Sequence, residues 1–206
     1  MSQISTSVLE FEGSDGVAKH ASRHRFTVAE LMTLVEQGIL QGHAELVDGE
    51  ILHTAAMGNG HSLCLEDLRD QIRVAFPAPY FVRTQATHRF TEFNAPEPDI
   101  AVLLNRPVPG ALIDPLPILV IEVSEETLAT DISRKRVNYA RFNVQEYWVV
   151  DLRRKQVNVF RHPNVNATQP SDAYAEESIV KIDGTLSPLA NPTALLRVAD
   201  FMPIAG

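Results

Sequence analysis

Residues 118–151, ILVIEVSEETLATDISRKRVNYARFNVQEYWVVD, decide the fold of this chain. They start with an apolar strand (118–124), continue through a helix (130–142) with Thr130 as its expected cap, and run into a second apolar strand (146–152). Strands that are apolar on both faces are typical of the centre of a sheet that helices cover on each side. The segment therefore predicts an α/β domain.

The pattern extends toward the N-terminus. HSLCLEDLRDQIRVAF (61–76) has the periodicity of an amphipathic helix, and 80–90 and 98–104 are strand-like. From about residue 61 to 151 the order is thus helix, strand, strand, strand, helix, strand. This order predicts a mixed sheet flanked by helices.

The outer segments complete one domain over 26–206. An N-terminal helix is expected within 26–40 with Thr27 as its cap, followed by a hairpin over 44–57 that turns at Asp48-Gly49. After the core, a strand at 156–162 pairs with the one before it, an exposed loop follows, and the last stretch holds one or two more strands. Residues 1–25 are polar and are expected to form a loose arm.

Composition narrows the class of protein. The 206 residues are 45% hydrophobic and 21% charged, which is ordinary for a folded domain. No apolar run approaches the roughly 20 residues of a membrane span, and the start does not resemble a signal peptide, so we expect a cytoplasmic protein without membrane association. The single cysteine, Cys64, lies among apolar residues and is expected in the core.

Two carboxylates in apolar strands carry the chemistry. Asp99 begins one strand, and Glu122 lies near the end of the next. An ionised carboxylate is costly to bury unless a partner or a cation compensates it. If the strands are neighbours, both acids can converge on an oxygen-rich site that suits Mg²⁺. The alternative is that each acid caps a strand end or pairs with an arginine.

The following helix offers a cation. Asp131 and Lys135 are four residues apart and share a helical face, which Asn138 and Tyr139 roughly continue. A lysine beside two metal-binding acids could orient the attacking water or stabilise charge on a phosphate. The alternative is a solvated helical face with one surface ion pair, worth under about 1 kcal/mol.

At this point the sequence resembles a known family. PEPDIAVLL, the segment 118–151, AELVDGEI and His61 are similar to blocks of the Uma family of restriction endonucleases, within the PD-(D/E)XK nuclease superfamily. The resemblance covers about residues 26–162 and implies a restriction-endonuclease-like fold. It implies that Pro98-Asp99 gives the first acid and Glu122 the second, with metal held by Asp99, Glu122 and the Val123 carbonyl.

The chain departs from the family pattern at one catalytic position. Ser124 stands where the usual lysine would follow the glutamate, and the resemblance implies that Lys135 on the next helix has taken over that role, held by Asp131. Glu45 matches an early glutamate of the family and is a candidate accessory metal ligand, although a strand-edge acid is an equally good interpretation. Gln85 is a weaker supporting candidate.

Other chemistries fit poorly. The 7 histidines form no HExxH motif, and neither GxSxG nor a glycine-rich phosphate loop is present. His61 is set aside as an ordinary residue of a helix start. Tyr147 and Trp148 are expected in core or dimer packing.

The sequence thus predicts a Mg²⁺-dependent endonuclease, with Mn²⁺ as a substitute cation, that hydrolyses phosphodiester bonds in nucleic acid, most readily DNA, as a homodimer. Specificity would come from loops such as 105–117 or from a partner. The net charge of −8 opposes tight metal-free DNA binding. It favours an alternative, an inactive nuclease-fold module for binding or assembly. A hydrolase acting on RNA or another phosphoester is a third hypothesis.

Overall fold

The computed structural model describes residues 8–11, 19–53 and 57–203. The helices are α1 (Val28–Glu36), α2 (Asn59–Ala75), α3 (Leu128–Thr130) and α4 (Arg136–Arg141), and a π-helical turn, Asp131–Lys135, joins the last two. The strands are β1 (Val8–Phe11), β2 (Lys19–Ser22), β3 (Ala44–Val47), β4 (Glu50–His53), β5 (Phe81–Thr84), β6 (Ile100–Leu103), β7 (Pro117–Ser124), β8 (Glu146–Asp151), β9 (Gln156–Pro163), β10 (Tyr174–Lys181), β11 (Thr185–Leu186) and β12 (Leu196–Arg197).

A six-stranded mixed sheet forms the centre of the molecule. Its strand order is β10-β9-β8-β7-β6-β5, in which β7 and β8 are parallel and every other pair is antiparallel. The parallel pair needs a crossover connection, and the helical residues 128–141 supply it. The predicted α/β class with a mixed sheet flanked by helices is confirmed.

Side chains of the central strands alternate between two cores. On β7, Ile121 and Val123 belong to the core that α2 covers, whereas Val120 belongs to the core beneath α4. The helix α2 contributes Leu65 and Leu68 to the first core, as its amphipathic pattern predicted. The two faces of β7 therefore meet different helices, and both helices are held at fixed positions relative to Glu122.

The hairpin and the N-terminal helix follow the sequence prediction closely. Thr27 caps α1 in a capping box with Glu30, and β3 pairs with β4 through a turn at Asp48 and Gly49. Both turn residues have positive φ, 53° and 80°, as a tight hairpin requires. Part of the predicted second strand, residues 54–56, lies outside the described residues.

Two predicted boundaries are wrong for local reasons. Thr130 is no helix cap, because its backbone is already helical (φ −73°, ψ −42°) and the helix begins earlier, at Leu128. The strand predicted over 80–90 ends at Thr84, because Gln85 has a φ of 44° that turns the chain out of the sheet.

The chain ends add short strands. Within the predicted arm over 1–25, the segments Val8–Phe11 and Lys19–Ser22 form an antiparallel ladder, whereas residues 1–7 and 12–18 lie outside the described residues. Toward the C-terminus, β10, β11 and β12 make three strands where one or two were expected. Among the described residues, no helix is long and apolar enough to cross a membrane.

Candidate active site

The two predicted acids lie opposite each other at one end of the β6–β7 ladder. Ile100 and Ile121 are the last pair of the antiparallel ladder, so Asp99 and Glu122 are the next residues of the two strands at that end, and the charge of Asp99 helps to raise the pKa of Glu122. The Val123 N–H donates a 2.8 Å hydrogen bond to Asp99 Oδ2. The neighbouring strands therefore bring together the two carboxylates that the sequence singled out.

Lys135 extends toward this end of the sheet from the π-helical turn. Its Nζ lies 3.1 Å from Glu122 Oε1, 3.3 Å from Glu45 Oε1 and 3.8 Å from Asp131 Oδ1. Its side chain is only 12% exposed, so water screens these contacts weakly. The alternative of a solvated surface ion pair is wrong, since the amine sits among three buried acids.

Glu122 is buried and accepts two side-chain hydrogen bonds. Its Oε1 accepts hydrogen bonds from Lys135 and from the Tyr139 hydroxyl, the latter at 2.8 Å. Burial raises the pKa of Glu122 well above its ordinary value, and the charges of Asp99, Asp131 and Glu45 add to that rise, while Lys135 partly opposes it. The local negative charge therefore exceeds what the lysine neutralises.

Glu45 and Asp131 hold the lysine from two sides. Glu45 comes from β3, and burial raises its pKa although Lys135 pulls the value down. Burial likewise raises the pKa of Asp131, whose Oδ2 accepts a 2.6 Å hydrogen bond from the Thr127 hydroxyl. The sequence weighed Glu45 equally as a strand-edge acid, and the structure instead shows it buried against the amine.

The ionisation of Lys135 follows from these neighbours. Burial alone would lower its pKa, but the carboxylates of Glu122, Glu45 and Asp131 outweigh burial and raise it. The amine is therefore protonated at neutral pH. It can donate hydrogen bonds and stabilise negative charge, but it cannot accept a proton from water.

The sequence interpretation set aside one residue that contacts the site. His61, near the start of α2, places Nε2 3.1 Å from Asp99 Oδ2. Burial lowers the pKa of His61, but the hydrogen bond and charge of Asp99 prevail and raise it overall. Two signals were available in the sequence: the similarity of His61 to a block of the family, and its position directly after the glycine-flanked helix start, 58–60.

Two other predicted residues have more limited roles. Gln85 is exposed, its amide lies 2.7 Å from Met57 Sδ, and it reaches Asp99 only through its backbone N–H, which donates to the Asp99 carbonyl. Val123 contacts Asp99 through its N–H, so a ligand role for its carbonyl stays a prediction.

Burial raises the pKa of Cys64 to about 12, which fits the predicted core residue.

The donor set is suited to a magnesium-like ion held by few protein ligands. Within the described residues, no three His, Cys, Asp or Glu side chains are grouped to enclose a metal. Mg²⁺ usually binds one or two carboxylates and completes its shell with water and substrate phosphate. The side-chain hydrogen bonds described for Asp99 use Oδ2, and those for Glu122 use Oε1, which leaves one oxygen of each acid for a cation.

Comparison with known proteins identifies the class and then the family. The fold is that of a nuclease-like α/β protein, because the chain is similar to the crystal structure of "a putative nuclease belonging to DUF820" from Anabaena variabilis. The TM-score is 0.64 at 17% sequence identity, and the match covers 86% of this chain and 97% of that one. No curated protein matches the sequence. The Uma2 family model, described as "Putative restriction endonuclease", matches residues 39–190. The chain belongs to this family, as the resemblance predicted, and restriction-endonuclease-like families generally use a divalent metal.

Proposed function

We propose that this protein is a divalent-metal-dependent endonuclease that hydrolyses phosphodiester bonds in nucleic acid, with DNA as its substrate and Mg²⁺ as its cation. The observation that carries the proposal is the position of Lys135 between Glu122 and Glu45, beside the strand end that presents Asp99. Family and fold point to a restriction-endonuclease-like nuclease. The metal and the substrate are inferred from the chemistry of the side chains.

Asp99 and Glu122 would hold the cation, with the Val123 carbonyl as a further ligand, while Glu45, the accessory candidate, binds the Lys135 amine. When bound, the cation supplies positive charge that acidifies water and stabilises a phosphate under attack. The excess of buried carboxylates over cationic groups supports this assignment, because the burial and mutual repulsion that raise the pKa of Glu122 would be relieved by a divalent ion.

Lys135 acts as a fixed positive charge and hydrogen-bond donor. Because Glu45, Asp131 and Glu122 keep it protonated, it can orient water or stabilise charge on the scissile phosphate, but another group must accept the proton. Asp131 and Glu45 position the amine, and Tyr139 fixes the Oε1 side of Glu122. Each of these residues holds another group in place and so reduces the reorganisation needed during reaction.

The net charge of −8 places a condition on this proposal. Phosphate binding normally depends on basic surface, so an acidic nuclease needs its cation to bring the phosphodiester to the carboxylates.

Loop 105–117 joins the Leu103 and Pro117 ends of β6 and β7, about 13 Å from Asp99 by strand rise. Base recognition through that loop, as the sequence suggested, would require contact well beyond the cleavage point.

Cleavage of supercoiled plasmid DNA with Mg²⁺ or Mn²⁺ tests the proposal. We expect Asp99→Asn, Glu122→Gln and Lys135→Met each to lower the rate by about 10²-fold or more, since each removes preorganised charge from the site. Glu66→Gln, on the exposed face of α2, is the matched control and should keep wild-type activity. Equal cleavage by wild type and all three site variants would assign the activity to a contaminant or to another site.

A non-catalytic binding or assembly module is the second candidate. The absence of a three-ligand group among the described side chains favours it, as does the occupation of Glu122 and Glu45 by Lys135. Calorimetric titration with Mg²⁺ separates the two functions. An endonuclease site binds the ion and loses binding in Glu122→Gln, whereas a module that has abandoned catalysis shows no heat of binding in a fully folded protein.

A further inference from the structure

We propose that His61 is a positioning residue that locks the Asp99 carboxylate, so that Oδ1 is presented to the divalent cation. The proposal rests on the proposed metal-dependent function and extends it to a residue outside the predicted catalytic set. It starts from the 3.1 Å contact between His61 Nε2 and Asp99 Oδ2, which joins residues 38 positions apart.

Two donors from different elements converge on the same oxygen of Asp99. The Val123 N–H approaches Oδ2 from β7 at 2.8 Å, and the His61 ring approaches it from α2. A carboxylate held by one donor can still rotate about that bond, whereas two donors on one oxygen also fix the direction of the other oxygen. Oδ1 is thereby the oxygen available for a cation.

The position of the His61 ring is set by the packing of α2. The helix begins after Gly58 and buries Leu65, Leu68 and Ile72 in the core that also contains Ile121 of β7. The same helix therefore carries both the packing contacts and the histidine, so His61 is held in register with β7. The ring side chain is 11% exposed and that of Asp99 is 12% exposed, so bulk water competes little for their hydrogen bond.

The start of α2 lies close to the residue that follows β7. A Cβ at Gly58 would lie 2.8 Å from Glu125 Oε2, and one at Gly60 would lie 3.9 Å from Glu125 Oε1. Glu125 directly follows β7 and lies over the first turn of α2, so the end of β7 and the start of α2 pack closely where His61 meets Asp99. This close approach is what brings the ring within reach of a carboxylate on the neighbouring strand.

Metal affinity is the measurement that separates positioning from simple structural support. Partners that orient a metal ligand typically change metal affinity by about 10- to 100-fold when they are removed. We therefore expect His61→Leu to weaken Mn²⁺ binding by that factor in calorimetric titration of the full chain. His61→Gln, whose amide nitrogen can replace Nε2, should restore affinity to within about threefold of wild type.

Leu65→Ala provides the matched control. It removes a buried side chain from the same helix without touching Asp99, so it reports what destabilising α2 does to metal binding. If His61→Leu does not fold, His61→Asn, whose shorter amide cannot reach Asp99, takes its place in the comparison. Weak binding in the leucine or asparagine variant, recovery in His61→Gln and unchanged binding in Leu65→Ala would support the proposal.

Three outcomes would overturn it. Wild-type affinity in His61→Leu would show that Asp99 needs no help from the ring, and an equal loss in Leu65→Ala would reduce the effect to helix stability. A wild-type protein that binds neither Mn²⁺ nor Mg²⁺ would overturn the positioning role together with the proposed function. The first two results leave the metal site of the wild type intact, so the two failures are distinguishable.

Discussion

Replacing Lys135 with methionine should destabilise the fold strongly, because it removes the cation from a buried cluster of acids. Methionine keeps the length and apolar character of the lysine side chain, so the packing changes little and the charge is the main difference. The variant leaves Glu122, Glu45 and Asp131 buried without the amine that now lies within 4 Å of each.

The size of the loss follows from the contacts. Lys135 makes two hydrogen bonds to carboxylates, at 3.1 and 3.3 Å. Hydrogen bonds to charged groups are worth about 1.5–3 kcal/mol each, and removing one partner of a buried pair costs about 3–5 kcal/mol. We therefore expect the free energy of unfolding to fall by about 3–5 kcal/mol at neutral pH. The loss should shrink in acid, where the carboxyl groups take up protons.

Urea unfolding followed by circular dichroism measures this loss, and a double-mutant cycle with Glu122→Gln assigns it. In the Glu122→Gln background the cost of Lys135→Met should be smaller by about 1–3 kcal/mol, because one of the orphaned charges is already gone. Arg153→Met is the control: its partner is Glu126, and both side chains are largely exposed, so the loss should stay below about 1 kcal/mol. Equal costs of Lys135→Met in the two backgrounds would refute the charge argument.

Two further perturbations test the site and the hairpin. Glu122 keeps its proton to a higher pH in the folded chain than in the unfolded one, so the free energy of unfolding should fall as pH rises above 4.5, the ordinary pKa of a glutamate. Unfolding titrations at several pH values should show a flatter slope in Glu122→Gln and an unchanged slope in the exposed control Glu66→Gln. Gly49→Ala should cost about 1–3 kcal/mol in thermal unfolding, because φ is +80° and the new Cβ would lie 2.8 Å from Arg25 Cβ. Gly38→Ala, at φ +70° in open space, should cost less, and an equal loss would show that backbone strain alone matters.

The pairing of the two acidic strands could be predicted because it depends on local pattern. Near-continuous apolar runs before and after the loop 105–117 indicate buried strands, and the acids stand at the ends of those runs that meet if the strands are antiparallel neighbours. The i, i+4 spacing likewise predicts that Asp131 and Lys135 share a face, and their 3.8 Å contact bears this out. Sequence periodicity was therefore sufficient to predict contacts between residues of the same helix or of neighbouring strands.

Contacts that depend on how distant elements pack were beyond the sequence pattern. His61 meets Asp99 only because α2 lies across the sheet at one particular register, and helical periodicity does not specify that register. The π-helical turn could not be predicted for a related reason, because one extra residue in a helical turn does not change the spacing of apolar residues in a recognisable way. The helix already begins at Leu128, before that turn, so Thr130 lies inside the helix and not at its cap.

The charge of the site argues for a cation more directly than the net charge argues against one. Glu45, Glu122 and Asp131 contact a single lysine, and burial together with repulsion from Asp99, Asp131 and Glu45 raises the pKa of Glu122. A scaffold that served only for binding or assembly would gain stability if a neutral amide replaced that carboxylate, because an amide can accept the Tyr139 hydrogen bond without adding charge. The buried excess of acid thus destabilises the fold when no cation is present, and a divalent ion at Asp99 and Glu122 would offset it.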